Sequence, residues 1–331
     1  MTAISDSFDA VGRIGRFSYV LPAGPGPGRN GTLVYATWGR LNERGDNAVL
    51  LPSYYTGTHV HYAPLIGRGR ALDPARHFIV APNMFGNGVS TSPSHLENPR
   101  LFPRLTIEDH VHAQHALLAS LGVRKLALAA GWSMGAMQAL HWAMLYPDSV
   151  RNVVAVCGTA FCWPVNTAFL SGIAPVLEIA PKIDEALALD LFGRVYAGWA
   201  YSAEFFRGGL YRQMGFNDIQ GLLDDWGRSH QGHRAADLLA VLRVWADTAR
   251  SPDAARAALG QIKARCWIMP CDTDRYFTVD DARFEAAALA CAEIHVLRSP
   301  FGHCAGAPGR FEGETAQIEA ALAGALAHGP A

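Results

Sequence analysis

A surplus of charge of either sign is missing from this sequence. Twenty-eight Lys and Arg face 29 Asp and Glu, the formal net charge is −1, and no basic run exceeds two residues. A nucleic-acid binder needs a basic stripe and an anionic-membrane binder a polybasic segment, so both partner classes are excluded. Long apolar runs are also missing: nothing approaches the roughly 18 residues a membrane span requires. The stretch Met1 to Arg16 shows no basic region followed by an apolar one, so no signal peptide is expected and the chain reads as cytoplasmic. The six cysteines, at 157, 162, 266, 271, 291 and 304, form no Cys-x-x-Cys pair. Several lie in apolar runs such as Val154–Cys157 and Cys266–Met269, the pattern of free buried thiols. Internal repeats and low-complexity tracts are absent, apart from a Gly/Pro turn at Ala23–Arg29 between two early strands.

Metal and phosphate signatures are equally scarce. His110, His112 and His115 share an expected helix, but spacings of two and five do not converge on one face. His59 and His61 would share a face only in an extended chain. No cysteine or carboxylate joins either group at ligand spacing, so no metal is assigned. Gly86-Asn-Gly88 lacks the lysine of a P-loop.

What the chain does have is apolar material, half of its 331 residues, enough for one large domain or two smaller ones. Short β-branched runs read as strands at 32–37, 48–51, 78–81, 125–129, 153–156, 266–269 and 293–297. Continuous apolar runs of that length suit parallel strands buried on both faces. Between them lie amphipathic stretches, notably 106–121 with Thr106 as N-cap, and 134–146, stopped by Pro147. Strand and helix in alternation predict an open, mostly parallel α/β sheet with helices on both faces. The alternation fails over residues 160–260, which are helical in pattern and rich in aromatics, the expected form of a lid over an apolar pocket. The predicted division is a core of 1–159 and 261–331 with a helical insertion at 160–260.

One motif carries chemistry. Gly131-Trp132-Ser133-Met134-Gly135 follows an expected strand and opens an expected helix. A nucleophile on so sharp a turn needs small residues two before and two after it, and glycine removes the Cβ clash. The turn lifts the Ser133 hydroxyl clear of the sheet and aims the next backbone N–H groups and the helix N-terminus at a developing oxyanion. A serine hydroxyl needs a base, and the base an orienting acid, in the chain order Ser, Asp or Glu, His. Asp272 and Asp274 follow a late strand, and His303 sits between glycines in the loop after the last strand.

With these residues in place the chain resembles the homoserine O-acetyltransferase family. The likeness is carried by Leu33–Asn42, Asn47–Leu51 with Tyr55-Thr-Gly57, Leu72–Asn83, Phe102–Asp109 and, most fully, Ser133–Ala143. It implies an α/β-hydrolase fold with a helical lid, assembly of two copies through that lid, and acyl transfer through an acyl-serine. It also implies that Ser133 is the nucleophile, Asp274 rather than Asp272 the acid and His303 the base. The backbone N–H groups of Tyr55 and Met134 become the oxyanion donors. Four positions depart from the family. Trp132 stands where a glycine is usual, narrowing the pocket beside the serine. The loop Ser53-Tyr54-Tyr55-Thr56-Gly57-Thr58 replaces His-Ala-Leu-Thr-Gly-Asp. Cys304 replaces an aspartate after the histidine, and Tyr201 falls near the lid arginine expected to clamp a carboxylate. Homoserine is a small zwitterion that needs charged partners, so these losses argue against it; Arg207 or Arg212 could supply a guanidinium from a shifted register. The expectation is a serine hydrolase of small, short-chain acyl esters without a cofactor. Its alternative is an O-acyltransferase using acetyl-CoA as co-substrate. A catalytically dead scaffold is disfavoured by the intact Ser, Asp and His order.

Overall fold

Strand β1 (Arg13–Leu21) folds back on β2 (Arg29–Trp38), with Arg13 opposite Thr37 and Leu21 opposite Arg29. The computed structural model describes residues 11–23 and 29–327, so most of the expected Gly/Pro turn and residues 1–10 of the leading segment lie outside the described residues. The chain continues through β3 (Ala48–Leu50), β4 (Phe78–Pro82), helix α1 (Ile107–Ser120), β5 (Leu126–Trp132), α2 (Met134–Leu145) and β6 (Asn152–Val156). Six helices follow: α3 (Pro164–Ile179), α4 (Glu185–Ala200), α5 (Ala203–Arg207), α6 (Ile219–His230), α7 (Ala235–Ala246) and α8 (Pro252–Leu259). The sheet then resumes with β7 (Arg265–Met269), α9 (Val279–Ala286), β8 (Ala292–Ile294) and α10 (Glu312–Ala327).

One sheet of eight strands results, in the order β1-β2-β4-β3-β5-β6-β7-β8. The pairs β1/β2 and β2/β4 are antiparallel and the others parallel. Every residue of β3 and β6 is buried, as expected for strands covered on both faces. From β3 the chain runs to β4 on one side and then to β5 on the other. A crevice opens at such a reversal, outside the carboxyl ends of the strands. Ser133 lies at the end of β5, at that point. Helix α1 begins where its sequence signals it, since the Thr106 hydroxyl accepts from Asp109 N–H and the Asp109 carboxylate accepts from Thr106 N–H.

The last strand departs from expectation. The run 293–297 reads as extended throughout, but β8 ends at Ile294, and Leu297 joins the sheet through an isolated bridge to Cys271. Pro270, just past β7, has no N–H to give, so the parallel ladder breaks there.

Between β6 and β7 the described chain is helical, as its pattern indicated. Phe169, Phe192, Tyr201, Phe205 and Trp245 are fully buried in this region. Helix α4 also turns a row of apolar residues outward: Leu187, Leu191 and Val195, continued before it by Ile183, are 41–50 % exposed. No helix among the described residues is long and apolar enough to cross a membrane.

Candidate active site

The turn at Ser133 is as tight as its glycines imply. Ser133 adopts φ 58° and ψ −126°, a conformation that costs a non-glycine residue on the order of 1–3 kcal/mol. A Cβ on Gly131 would lie 2.3 Å from the Gly135 carbonyl carbon. One on Gly135 would lie 2.7 Å from the Pro52 oxygen and from the Tyr62 hydroxyl. Neither contact is possible, so both positions must be glycine for β5 to pass directly into α2. Ser133 N–H donates to Val156 O at 2.9 Å, which ties the elbow to β6.

The acid and the base follow β7 and β8, parallel strands that lie beyond β6 from the nucleophile. His303 Nδ1 lies 2.7 Å from Asp274 Oδ2, with both side chains buried. The other carboxylate oxygen of Asp274 accepts from Tyr276 N–H at 3.1 Å and Phe277 N–H at 3.0 Å. Those two donors fix the carboxylate in plane and leave one oxygen for the imidazole. Asp272 is occupied otherwise: it accepts from Ser299 N–H at 3.1 Å and pairs with Arg298 at 3.3 Å, bracing the loop that carries His303. Gly302, at φ 62°, packs where a Cβ would meet Ala200 O and Ser202 N at 2.8 Å, so the histidine loop closes against the helical insertion.

Trp132 joins the nucleophile's strand to the base. Its indole stacks on the His303 imidazole, centroids 5.0 Å apart, and its Nε1–H donates to His303 O at 3.2 Å. Tyr54 meets the indole edge-on at 4.5 Å, and a Cβ at Gly57 would strike the Tyr54 ring at 2.4 Å. Tyr55 is buried; its hydroxyl donates to Leu238 O of α7 at 3.1 Å and its ring stacks on Tyr196 of α4 at 5.8 Å. Burial pushes both the Tyr54 and Tyr55 hydroxyls well above the ordinary tyrosine range, so neither ionises near neutrality. A cavity of about 290 Å³ lies along Tyr55, between it and Asn87, Ser94, His233 and Asp237.

Tyr201 is fully buried on Phe205, ring centroids 4.0 Å apart. The two arginines considered as substitutes for a clamp are elsewhere: Arg207 and Arg212 are both exposed, and Arg212 stacks on its own neighbour Tyr211. Sequence reasoning missed Arg310. It donates to the Tyr201 hydroxyl at 2.7 Å and interacts electrostatically with the Cys304 thiol and the Tyr54 hydroxyl. It precedes the last helix, so no spacing rule links it to Tyr201, 109 positions earlier.

Two further supports were unmarked in the sequence. Gln138 of α2 donates to Ser53 O at 2.8 Å and to Met134 O at 3.1 Å, and accepts from Gln114. This buried amide fixes the loop before Tyr55 against the start of α2. Glu285 of α9, also buried, accepts from Ala160 N–H at 2.6 Å, Phe161 N–H at 3.0 Å and Trp163 Nε1–H at 2.9 Å. It thereby clasps the chain where the helical insertion begins. A buried glutamine inside a helical pattern and a lone glutamate on an apolar helix face are the only signals either offered.

Three of the other histidines have partners of their own, while His77 and His110 are buried with no hydrogen-bond partner on either ring nitrogen. His112 contacts the Tyr146 hydroxyl at 2.8 Å, His115 stacks on the Tyr146 ring, and His61 Nδ1 accepts from Thr58 N–H. Among the described residues no group of three or more His, Cys, Asp or Glu is placed to hold a metal ion.

Comparison with known proteins agrees with this fold. Residues 49–194 match the family model described as alpha/beta hydrolase fold. An ethyl acetate hydrolase of Pseudomonas veronii is 34 % identical over 290 residues, covering 82 % of this chain and 83 % of the relative. A homoserine O-acetyltransferase of Nostoc punctiforme is 29 % identical over 303 residues, covering 82 % and 85 %. The solved structure of the acetyl esterase MekB superposes with a TM-score of 0.89 at 32 % identity, covering 96 % of this chain and 97 % of that one.

Proposed function

The chain belongs to the α/β-hydrolase family, in the group that holds esterases and homoserine O-acetyltransferases, and we propose that it hydrolyses small, short-chain acyl esters through an acyl-serine on Ser133. The observation that carries this reading is the buried His303–Asp274 pair, 2.7 Å apart, joined through Trp132 to the Ser133 elbow. His303 takes the Ser133 proton as Oγ attacks the ester carbonyl, then returns it to the departing alkoxide. Asp274 holds the imidazole tautomer, while Met134 N–H and Tyr55 N–H receive the oxyanion. Water, activated by His303, then releases the acid. The helical insertion serves as the lid, and Trp132, Tyr54 and Tyr201 narrow the pocket to short acyl groups. Relatives named for ethyl acetate and acetyl esters support that preference. Steady turnover of p-nitrophenyl acetate without any acceptor tests the reading. Negligible turnover that acetyl-CoA plus homoserine rescues overturns it.

A second reading, acyl transfer from acetyl-CoA to an alcohol that bears a carboxylate, is favoured by one observation. Arg310 supplies a guanidinium beside Tyr201 and Cys304, where the clamp residues of the transferase family are lost. Comparing 4-acetoxybenzoate with phenyl acetate, in the parent and in Arg310→Gln, decides whether that charge selects anionic substrates. Selection predicts a loss confined to the carboxylate ester.

We also place the enzyme in the cytoplasm, where its six free cysteines, five of them buried, stay reduced. The exposed row Ile183, Leu187, Leu191 and Val195 supports pairing of two copies through α4, since helical neighbours at this spacing form one seam. Light scattering after size exclusion reads the mass directly.

A further inference from the structure

Trp132 occupies a position that the turn chemistry of the elbow leaves free, since only Gly131 and Gly135 are sterically forced. The largest side chain in the repertoire stands there, and the surrounding chain makes room for it. A Cβ on Gly306 would lie 2.6 Å from Trp132 Cδ1 and 2.8 Å from its Nε1. Glycine three residues after His303 thus lets the indole reach the histidine loop. The indole is then held from behind by the Tyr54 edge, at 4.5 Å. It touches His303 twice, ring face on ring face at 5.0 Å and 28°, and Nε1–H on the main-chain carbonyl at 3.2 Å.

We propose that Trp132 is a positioning residue for His303 that also stabilises the imidazolium formed during acyl transfer, a role that rests on Ser133, His303 and Asp274 being the catalytic triad. When Ser133 Oγ bonds to the ester carbonyl carbon, its proton passes to His303 Nε2 and the carbonyl π pair moves onto oxygen. When the C–O bond to the alcohol breaks, Nε2–H returns the proton to the leaving oxygen. Between these events the imidazole carries a positive charge. A cation against an aromatic face is attracted by the ring quadrupole, most strongly by an indole. Because Trp132 immediately precedes Ser133, the nucleophile and the face that holds its base move as one rigid unit. The other groups facing the imidazole are the Asp274 carboxylate, 2.7 Å from Nδ1, and the rings of Tyr276 at 4.4 Å and Phe277 at 5.4 Å. The Cys157 and Cys304 thiols lie near Asp274, with Arg310 beyond Cys304. Asp274 is the one carboxylate of this set and Arg310 the one guanidinium, and neither belongs to the nucleophile's strand.

Site-specific replacement of Trp132 by tryptophans carrying one to four ring fluorines separates this role from space filling. Fluorine keeps the indole's shape and makes its N–H a stronger donor, while draining negative charge from the ring face. With p-nitrophenyl acetate, kcat is expected to fall stepwise, by about tenfold across the series, at constant KM. The acid limb of the kcat/KM profile moves to lower pH, because a less stabilised imidazolium gives up its proton sooner. Trp132→Phe, which keeps a ring and loses the N–H, retains part of the activity and a similarly lowered acid limb. A kcat and an acid limb indifferent to fluorination overturn the proposal. Ser133→Ala in the same assay isolates the premise: turnover that survives it overturns the triad and this proposal together. Fluorine-independent but Ser133-dependent turnover overturns only the role of Trp132.

Discussion

The sheet core and the helical insertion meet at the same site but are built under different constraints. In the core, position is set by backbone. Gly131, Gly135 and the positive φ of Ser133 admit one geometry, and strand pairing carries that geometry to Asp274 and His303. In the insertion, position is set by side chains. Aromatic rings pack on one another, and a few hydrogen bonds fasten them to the core: Tyr55 to Leu238, Arg275 to Gly198 and Glu285 to the residues at 160–163. The proposed chemistry thus rests on backbone geometry, and the proposed selection among substrates on side-chain packing.

The sharpest way to break this comparison is within the core. Ser133→Ala should lower kcat on p-nitrophenyl acetate by a factor on the order of 10⁶, with fold retained by circular dichroism. Asp274→Asn keeps the shape but presents the wrong partner to Nδ1, and a loss of about 10⁴ in kcat is expected. Gly131→Ala places a methyl inside the Gly135 backbone and should leave little folded protein at 37 °C, measured by soluble yield and thermal melt.

Changes where the core clasps the insertion, and on the insertion's outer face, should be milder. Burial pushes the Glu285 carboxyl up to about 7, against the pull of its three N–H donors. The folded chain therefore keeps a proton that the unfolded chain, with an ordinary glutamate near 4.5, has already released. Stability tied to this group is complete below pH 4.5 and is lost as pH rises toward 7. Melting temperatures across that interval should fall more steeply in the parent than in Glu285→Gln, which has no proton to lose. Equal slopes would remove Glu285 from the account. The smallest expected effect on turnover belongs to Leu191→Glu on the exposed face of α4. Light scattering should report one copy in place of two, with kcat changed by less than about threefold, because no triad residue lies on that helix.

Much of the site was legible because its constraints are local. The spacing of glycines about Ser133, the strand before it and the helix after it all follow from steric rules acting within a few residues. Seven strands are read from runs of β-branched residues; β1 is implied only by the Gly/Pro turn after it, and the last run is cut short at β8, where Pro270, just past β7, has no N–H to give. The insertion showed its helices by period but not the places where its side chains would land. Arg207 and Arg212 were candidates by proximity in sequence, and both are exposed. Arg310 escaped notice because its partner lies 109 positions away.

The sequence alone determined the elbow, the order of its partners and the alternation that builds the sheet, since each depends on backbone sterics and short-range periodicity. Tertiary structure set Asp274 against the His303 imidazole and engaged Asp272 with Arg298 and the Ser299 N–H instead. It also set the Trp132 indole against His303, through a gap left by Gly306. Such choices rest on distances between segments remote along the chain, and only the folded packing brings those segments together.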